Sequence, residues 1–295
     1  MDVLHDLIFG SGTAIKQCQT VSHSNNIEKY VARNSGGASP EFVGVMSAEP
    51  RATVTSYDVA GFAGIFGVAG ASVSSGTVTL PFRKRASGST YAGATSHFTM
   101  TGANAFGVPT TYSATQGQAA SASGEIYFLS SNGIIDPLSS ATDATLAAQA
   151  FNASYTLGPA GIDGTQIPQV TGITVTTGRS IQTNAYNGYS YATSAEINLI
   201  DPTIEITIAD FDEIDTYGPM FSSNVGNDVT AFFTKMADGG TRVANATEEH
   251  ILFTLSGGLI EISEFSASDT SDGSATILIT GESLTVSTTS AISFS

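Results

Sequence analysis

One stretch of this chain occurs twice. Pro50-Arg51-Ala52-Thr53-Val54-Thr55-Ser56-Tyr57-Asp58-Val59-Ala60-Gly61-Phe62 returns, altered, as Pro202-Thr203-Ile204-Glu205-Ile206-Thr207-Ile208-Ala209-Asp210-Phe211-Asp212-Glu213-Ile214. Pro50 aligns with Pro202 and Asp58 with Asp210, each pair 152 positions apart (202 − 50, 210 − 58). In both copies alternate residues are apolar, Ala52 and Val54 or Ile204 and Ile206, the period of a half-buried strand. An Asp follows where a helix would start, then a short apolar run stopped by Gly67 or Gly218. A strand running directly into a short helix, twice, predicts two similar domains.

The flanking segments extend the correspondence. Thr20-Val21-Ser22-His23-Ser24 matches Gly172-Ile173-Thr174-Val175-Thr176, and Val43 and Val45 match Ala195 and Ile197. The turn Asn34-Ser35-Gly36-Gly37 lies opposite Tyr186-Asn187-Gly188-Tyr189, where Asn-Gly is a strong hairpin signal. Residues 77–82 match 228–233, His97 to Met100 match His250 to Phe253, and Gly124 to Phe128 match Ala275 to Ile279. Gly124 to Leu129 carries apolar residues on both faces and predicts a central strand covered on both sides. Three segments fall outside this pattern. Asp2 to Phe9 predicts a short amphipathic helix, and Ser139 to Phe151 another. Gly158 to Pro168 predicts a linker. The expected boundaries are therefore 1–135 for the first domain, 136–170 for a connector with a short helix, and 171–295 for the second domain.

Charge divides unevenly along the chain. Residues 1–135 hold seven Lys or Arg and seven Asp or Glu, whereas residues 136–295 hold three and nineteen, which accounts for the whole net charge of −16. Such acidity opposes adhesive nucleic-acid binding, which needs a basic footprint. It does not oppose a surface past which nucleic acid slides without sticking. The single Cys18 excludes an intrachain disulfide framework. No apolar run reaches the roughly 20 residues of a membrane span, and the acidic start at Asp2 is not an export signal.

Catalytic chemistry finds no support. No serine sits in a Gly-x-Ser-x-Gly elbow, and there is no His-Glu-x-x-His, Cys-x-x-Cys or phosphate-binding loop. His97 and His250 fall at equivalent strand starts, which points to a structural role. Asp269-Thr270-Ser271-Asp272-Gly273 lacks the spaced ligands and terminal Glu of a calcium loop and is a polar turn. The cluster Asp210 to Asp215 is read as carboxylates near a helix start rather than a cation site. Catalytic, cofactor and metal residues are all expected to be absent.

The strand leading into a Thr/Ser-x-Asp helix start closed by Gly, at Thr53 to Gly67 and Thr207 to Gly218, resembles the tail tube proteins of long-tailed bacteriophages. The resemblance implies a mainly β chain of two tandem similar β-sandwich or open-barrel domains, each with a short flanking helix. Six such domains close a ring in that family, rings stack into a tube, and DNA passes through its lumen. Some members carry two tube domains per chain and close the ring from three chains. The implied partners are further copies of the chain in a homotrimeric, pseudo-six-fold ring, with other tail proteins and DNA in transit. The implied location is the virion tail, after synthesis in the host cytoplasm. A different β-rich virion or surface module, such as a capsid decoration, distal tail or adhesin-like protein, is the alternative. The N-terminal extension, the 136–170 connector and the Ser/Thr-rich C-terminus depart from a minimal tube protein. The expected contacts between subunits join the basic triplet Arg83, Lys84 and Arg85 to the acidic residues Asp212, Glu213, Asp215, Glu248 and Glu249 of a neighbour.

Overall fold

The computed structural model of the chain describes residues 2–4, 6–10, 13–73, 77–84, 97–146, 153–209, 224–237, 240–268 and 271–294. The fold is mainly β. The first half contains β1 (Asp2–Leu4), β2 (Leu7–Phe9), β3 (Thr13–Ile15), β4 (Cys18–Ser24), β5 (Glu28–Ala32), β6 (Phe42–Ser47) and β7 (Arg51–Ser56). Then follow α1 (Val59–Phe66), β8 (Ala71–Val73), β9 (Val78–Lys84), β10 (His97–Gly102), β11 (Ala105–Thr115), β12 (Ser121–Phe128) and β13 (Leu138–Ala144). The second half contains β14 (Ser154–Ile162), β15 (Thr165–Ile167), β16 (Val170–Thr176), β17 (Arg179–Asn184), β18 (Ser194–Ile200) and β19 (Thr203–Ile208). It ends with β20 (Asn224–Met236), β21 (His250–Ser268), β22 (Ser271–Thr280) and β23 (Ser283–Ser290).

The repeated stretch behaves as its period requires. In β7, Ala52, Val54 and Ser56 are buried, and in β19, Ile204, Ile206 and Ile208 are buried. Asp58 then starts α1: its carboxylate accepts the Gly61 N–H at 3.0 Å and the Lys16 N–H at 3.0 Å. That satisfies a donor left open at the helix start. The helix ends at Gly67, whose φ of 56° suits glycine, and whose N–H returns to the Ala63 carbonyl at 2.7 Å. Val59, Phe62, Ala63 and Phe66 face the core. Two strand glycines let the helix lie this close: a Cβ on Gly107 would stand 2.3 Å from the Phe66 ring, and one on Gly124 would stand 2.7 Å from the Phe62 ring.

All strand ladders are antiparallel. One sheet runs β13-β10-β9-β2-β3, with β1 beside β9. A second, larger sheet runs β15-β14-β20-β21-β22-β19-β16-β11-β12-β7-β4, with β23 beside β21 and β8 beside β11. Two hairpins, β5–β6 and β17–β18, form their own two-stranded sheets. One hydrophobic cluster contains residues from both large sheets and α1, among them Leu7, Val54, Phe62, Leu80, Ile126, Ile206 and Phe253.

The pairing register of the first half recurs in the second. Thr20 pairs Thr55 and Val21 pairs Val54 in β4–β7, while Gly172 pairs Thr207 and Ile173 pairs Ile206 in β16–β19. Every member shifts by 152 (172 − 20, 207 − 55), and both ladders carry a bulge at the same place, after Cys18 and after Val170. The hairpins agree likewise: Lys29 pairs Val45 and Ile181 pairs Ile197. Phe98 opposite Phe82 corresponds to Ile251 opposite Phe233. Gln17 and Gln169, also 152 apart (169 − 17), both adopt positive φ, at 52° and 53°.

Five expectations need correction. Ile126 opposite Ala52 corresponds to Ile279 opposite Ile204, so Gly124 matches Ile277 rather than Ala275, two residues from the expected alignment. Residues 2–9 do not form a helix: β1 and β2 supply the strand beside β9, and Leu7 and Phe9 alternate into the core. Residues 138–144 are strand rather than helix, because β10 needs a partner on its outer edge and pairing outweighs weak local propensity. The segment from Gly158 to Pro168 is not a linker: β14 pairs β20 and β15 pairs β14. Pro159, which has no N–H to donate, sits where the β14–β20 register shifts between Leu157 and Ala160. The 136–170 connector is thus divided between the two halves. Finally, β12 is central but alternates between buried and half-buried side chains, so only one face is fully covered. The second helix expected before Gly218 lies outside the described residues, as do residues 147–151 of the expected connector helix, the loop 85–96 and residues 269–270 of the polar turn.

Candidate assembly surfaces

The two halves meet strand to strand. β11 pairs β16 with Thr111 opposite Thr176, Tyr112 opposite Val175, Ser113 opposite Thr174, Ala114 opposite Ile173 and Thr115 opposite Gly172. Tyr112 is fully buried there. Its ring lies 4.9 Å from Phe253 of the second half and 6.1 Å from Phe62 of α1, and its hydroxyl donates to the Gly67 carbonyl at 2.5 Å. Burial raises its phenol well above the ordinary value. The Ala120 N–H donates to the Tyr155 carbonyl at 2.8 Å and adds a second seam.

The β17–β18 hairpin reaches back over the first half. The Ala48 N–H donates to the Ser190 carbonyl at 2.7 Å, the Ser130 N–H to the Ala192 carbonyl at 2.8 Å, and the Thr183 hydroxyl to the Glu49 carboxylate at 2.6 Å. Its counterpart, β5–β6, exposes Tyr30, Phe42, Val43, Val45 and Met46. An apolar two-stranded hairpin in water is unusual for a monomer.

An eight-strand run from β4 to β21 ends, at its first-half side, on β4. Among the described residues no strand pairs the outer side of β4. An unpaired edge of this kind invites association. The face of this run turned away from the core is rich in hydroxyls: Thr55 and Ser123 lie 3.0 Å apart, and so do Ser113 and Ser121. Glu125 and Glu205 add carboxylates to that face, with Arg51 at its margin.

The expected charge contacts are distributed differently from a loop meeting a loop. Arg83 and Lys84 are the last two residues of β9, opposite Val3 and Asp2. Arg83 is half-buried and Lys84 exposed. Arg85, Asp212, Glu213 and Asp215 lie outside the described residues. Glu248 and Glu249 are exposed before β21, and Glu249 pairs with Lys235 of its own chain at 3.3 Å.

The two histidines at equivalent strand starts do the same work. The Lys84 N–H donates to His97 Nδ1 at 3.1 Å, and the Lys235 N–H donates to His250 Nδ1 at 3.1 Å. His250 is fully buried, with Nε2 placed 3.1 Å from the Ala244 carbonyl, so the ring carries its proton on Nε2. His250→Ala removes this acceptor and opens a void. The expected loss is about 2–4 kcal/mol, read from the denaturant midpoint.

Buried acids give a pH signature. Burial pushes the Tyr155 phenol up to about 12, with Asp58 and Glu249 adding to the shift. Burial, then the Glu125 hydrogen bond, takes Tyr127 up to about 12. Burial takes the Cys18 thiol from 9.0 up to about 12. The folded chain holds these groups neutral, whereas the unfolded chain releases their protons near 9 to 10. Their contribution is complete below pH 9 and is lost as pH rises through about 12. The denaturant midpoint is expected to fall across that window, with tyrosinate absorbance appearing together with unfolding. Tyrosinate formation in a chain that stays folded would contradict this.

Among the described residues no helix is long and apolar enough to cross a membrane, and no group of three or more His, Cys, Asp or Glu is placed to hold a metal ion. Sequence reasoning missed the open edge of β4, for which Thr20-Val21-Ser22-His23-Ser24 carries no local signal. No protein-family model matches the chain, and a search of curated proteins finds no match.

Proposed function

We propose that this chain is a structural virion protein, a tail tube subunit made of two tandem copies of one β domain. Three chains close a pseudo-six-fold ring, and stacked rings form the conduit for phage DNA. The observation that carries this reading is the recurrence of strand register across the two halves, joined edge to edge. Two similar units joined this way suit a ring of alternating copies, since a head-to-tail contact closes into a ring when the rotation fits. Covalent linkage of two copies halves the number of separate associations per ring. The hydroxyl-rich face, with Glu125 and Glu205, suits the lumen, since it offers little for a phosphate backbone to bind. The domain boundary in this reading falls between β13 and β14, near residues 145–153.

Arg83, Lys84 and Arg85 remain proposed contacts to acidic neighbours within or between rings. Because Arg83 belongs to a strand, the clean probe is the exposed Lys84. Rim pairs contribute about 0.2–1 kcal/mol each and weaken with salt. Negative-stain images of concentrated protein test the main reading. Rings or tubes are expected; monodisperse single particles would contradict it.

A further inference from the structure

We propose that the β5–β6 hairpin of one copy docks on the second half of a neighbouring copy, over Leu199 and Ile200, as β17–β18 docks on the first half within the chain. This rests on the ring reading above and names one of its contacts between chains. The two hairpins are the same element shifted by 152. Glu28 pairs Ser47 and Ser180 pairs Leu199, and both ladders shift register at the next residue, Lys29 or Ile181. Their tips close alike. The Gly37 N–H donates to the Asn34 carbonyl at 2.9 Å, and the Tyr189 N–H to the Tyr186 carbonyl at 3.0 Å. The Glu41 N–H donates to the Ala32 carbonyl and the Thr193 N–H to the Asn184 carbonyl, each at 2.9 Å.

The copies differ in what covers them. The segment after the β17–β18 tip lies on the first half. Tyr191 forms a parallel bridge with Ala48. The Ser190 carbonyl accepts the Ala48 N–H at 2.7 Å, and the Tyr191 N–H donates to the Gly133 carbonyl at 3.0 Å. Residues 189–195 are accordingly buried or half-buried, whereas their counterparts 37–43 are all exposed. The seat differs in the same way: Ala48 is 3 % exposed, and its counterpart Ile200 is 48 % exposed. Both surfaces that this contact covers inside the chain are thus open on the second hairpin and the second seat.

The exposed surfaces suit each other. Ile181, Thr183, Ala195 and Ile197 share one face of β17–β18 and are half-buried. The matching face of β5–β6 carries Lys29, Val31, Val43 and Val45, all exposed. Valine stands where the docked hairpin has Thr183 and Ala195, and Leu199 and Ile200 stand where the occupied seat has Ser47 and Ala48. Loop 130–137, which supplies the Ser130 and Gly133 hydrogen bonds, has no counterpart, since only Gly281 and Glu282 join β22 to β23. The contact between chains therefore replaces those polar bonds with apolar burial, the dominant driving force for association. A second copy is the occupant because hairpin and seat lie in different halves of one chain, as a head-to-tail contact requires.

Engineered disulfides test the register. Tyr191 and Ala48 correspond to Ser39 and Ile200 (191 − 152, 48 + 152). In a Cys18→Ser background, Ser39→Cys/Ile200→Cys places two thiols at bridge-partner positions of neighbouring chains, within the reach of a disulfide. Glu28→Cys/Ile200→Cys is the control, because Glu28 sits at the base of the hairpin, at least about 13 Å along the strand from the tip. Mild oxidation is expected to link the first pair between chains, giving dimers and a closed trimer on non-reducing gels, and to leave the control unlinked. Val43→Ser/Val45→Ser changes only exposed side chains. It is expected to keep the circular dichroism of the parent and to weaken association about tenfold or more in sedimentation velocity. Rings in micrographs without linkage of the first pair, equal linkage of the control, or unchanged association of the valine variant would overturn this docking and leave the ring reading intact. Absence of rings in the Cys18→Ser parent, together with absence of linkage, would overturn both.

Discussion

Tyr112→Ala is expected to destabilise the folded chain by about 3–5 kcal/mol, the range for deleting a large buried aromatic side chain. The residue is the central side chain of the join between the halves. It is fully buried, touches Phe253 of the second half and Phe62 of α1, and donates to the carbonyl that ends the helix. Truncation therefore opens a void across the join and leaves the Gly67 carbonyl without its hydroxyl donor. Tyr112→Phe separates the two effects, since it keeps the ring contacts and removes only the hydroxyl. Its expected cost is about 0.5–1.5 kcal/mol. Equilibrium denaturation of both variants measures the difference. Equal losses in the two would show that packing at the join is unimportant.

His23→Pro is expected to leave the single chain folded and to weaken association about 10- to 100-fold at each junction. In β16 the Thr177 N–H donates to the Thr110 carbonyl at 3.0 Å. Alternation along a strand then directs the Val175 N–H towards β11 as well. His23 is the counterpart of Val175, so its N–H points away from β7. Proline there removes an outward donor and places a ring on the open edge, the kind of residue tolerated at an edge strand. One or two lost hydrogen bonds of about 1 kcal/mol each, with the added clash, give the stated range at 1.4 kcal/mol per factor of ten. Sedimentation velocity reads the association and circular dichroism the fold. Unchanged association would place the contact elsewhere.

The strand–helix unit of the first half was legible because each element was fixed by its own residues. Alternation at Ala52 and Val54, the cap at Asp58 and the stop at Gly67 are local decisions, and the structure carries all of them. The Asn187-Gly188 turn was equally local: both residues take positive φ, and the Tyr189 N–H closes on the Tyr186 carbonyl at 3.0 Å. The strands β1, β13 and β14 were not legible. Each has weak propensity, and β14 contains Gly158, Pro159 and Gly161. They are extended because β9, β10 and β20 present edges that require partners, a fact visible only once the sheets are assembled. The open edge of β4 escaped for the same reason. Nothing in Thr20-Val21-Ser22-His23-Ser24 distinguishes it from its paired counterpart 172–176.

The mass of the purified ring, measured by native mass spectrometry at low salt, tests the assembly most directly. Three chains of 30.2 kDa each per ring is the expected result. A chain that stays monomeric at high concentration, or a ring of six chains, would contradict it.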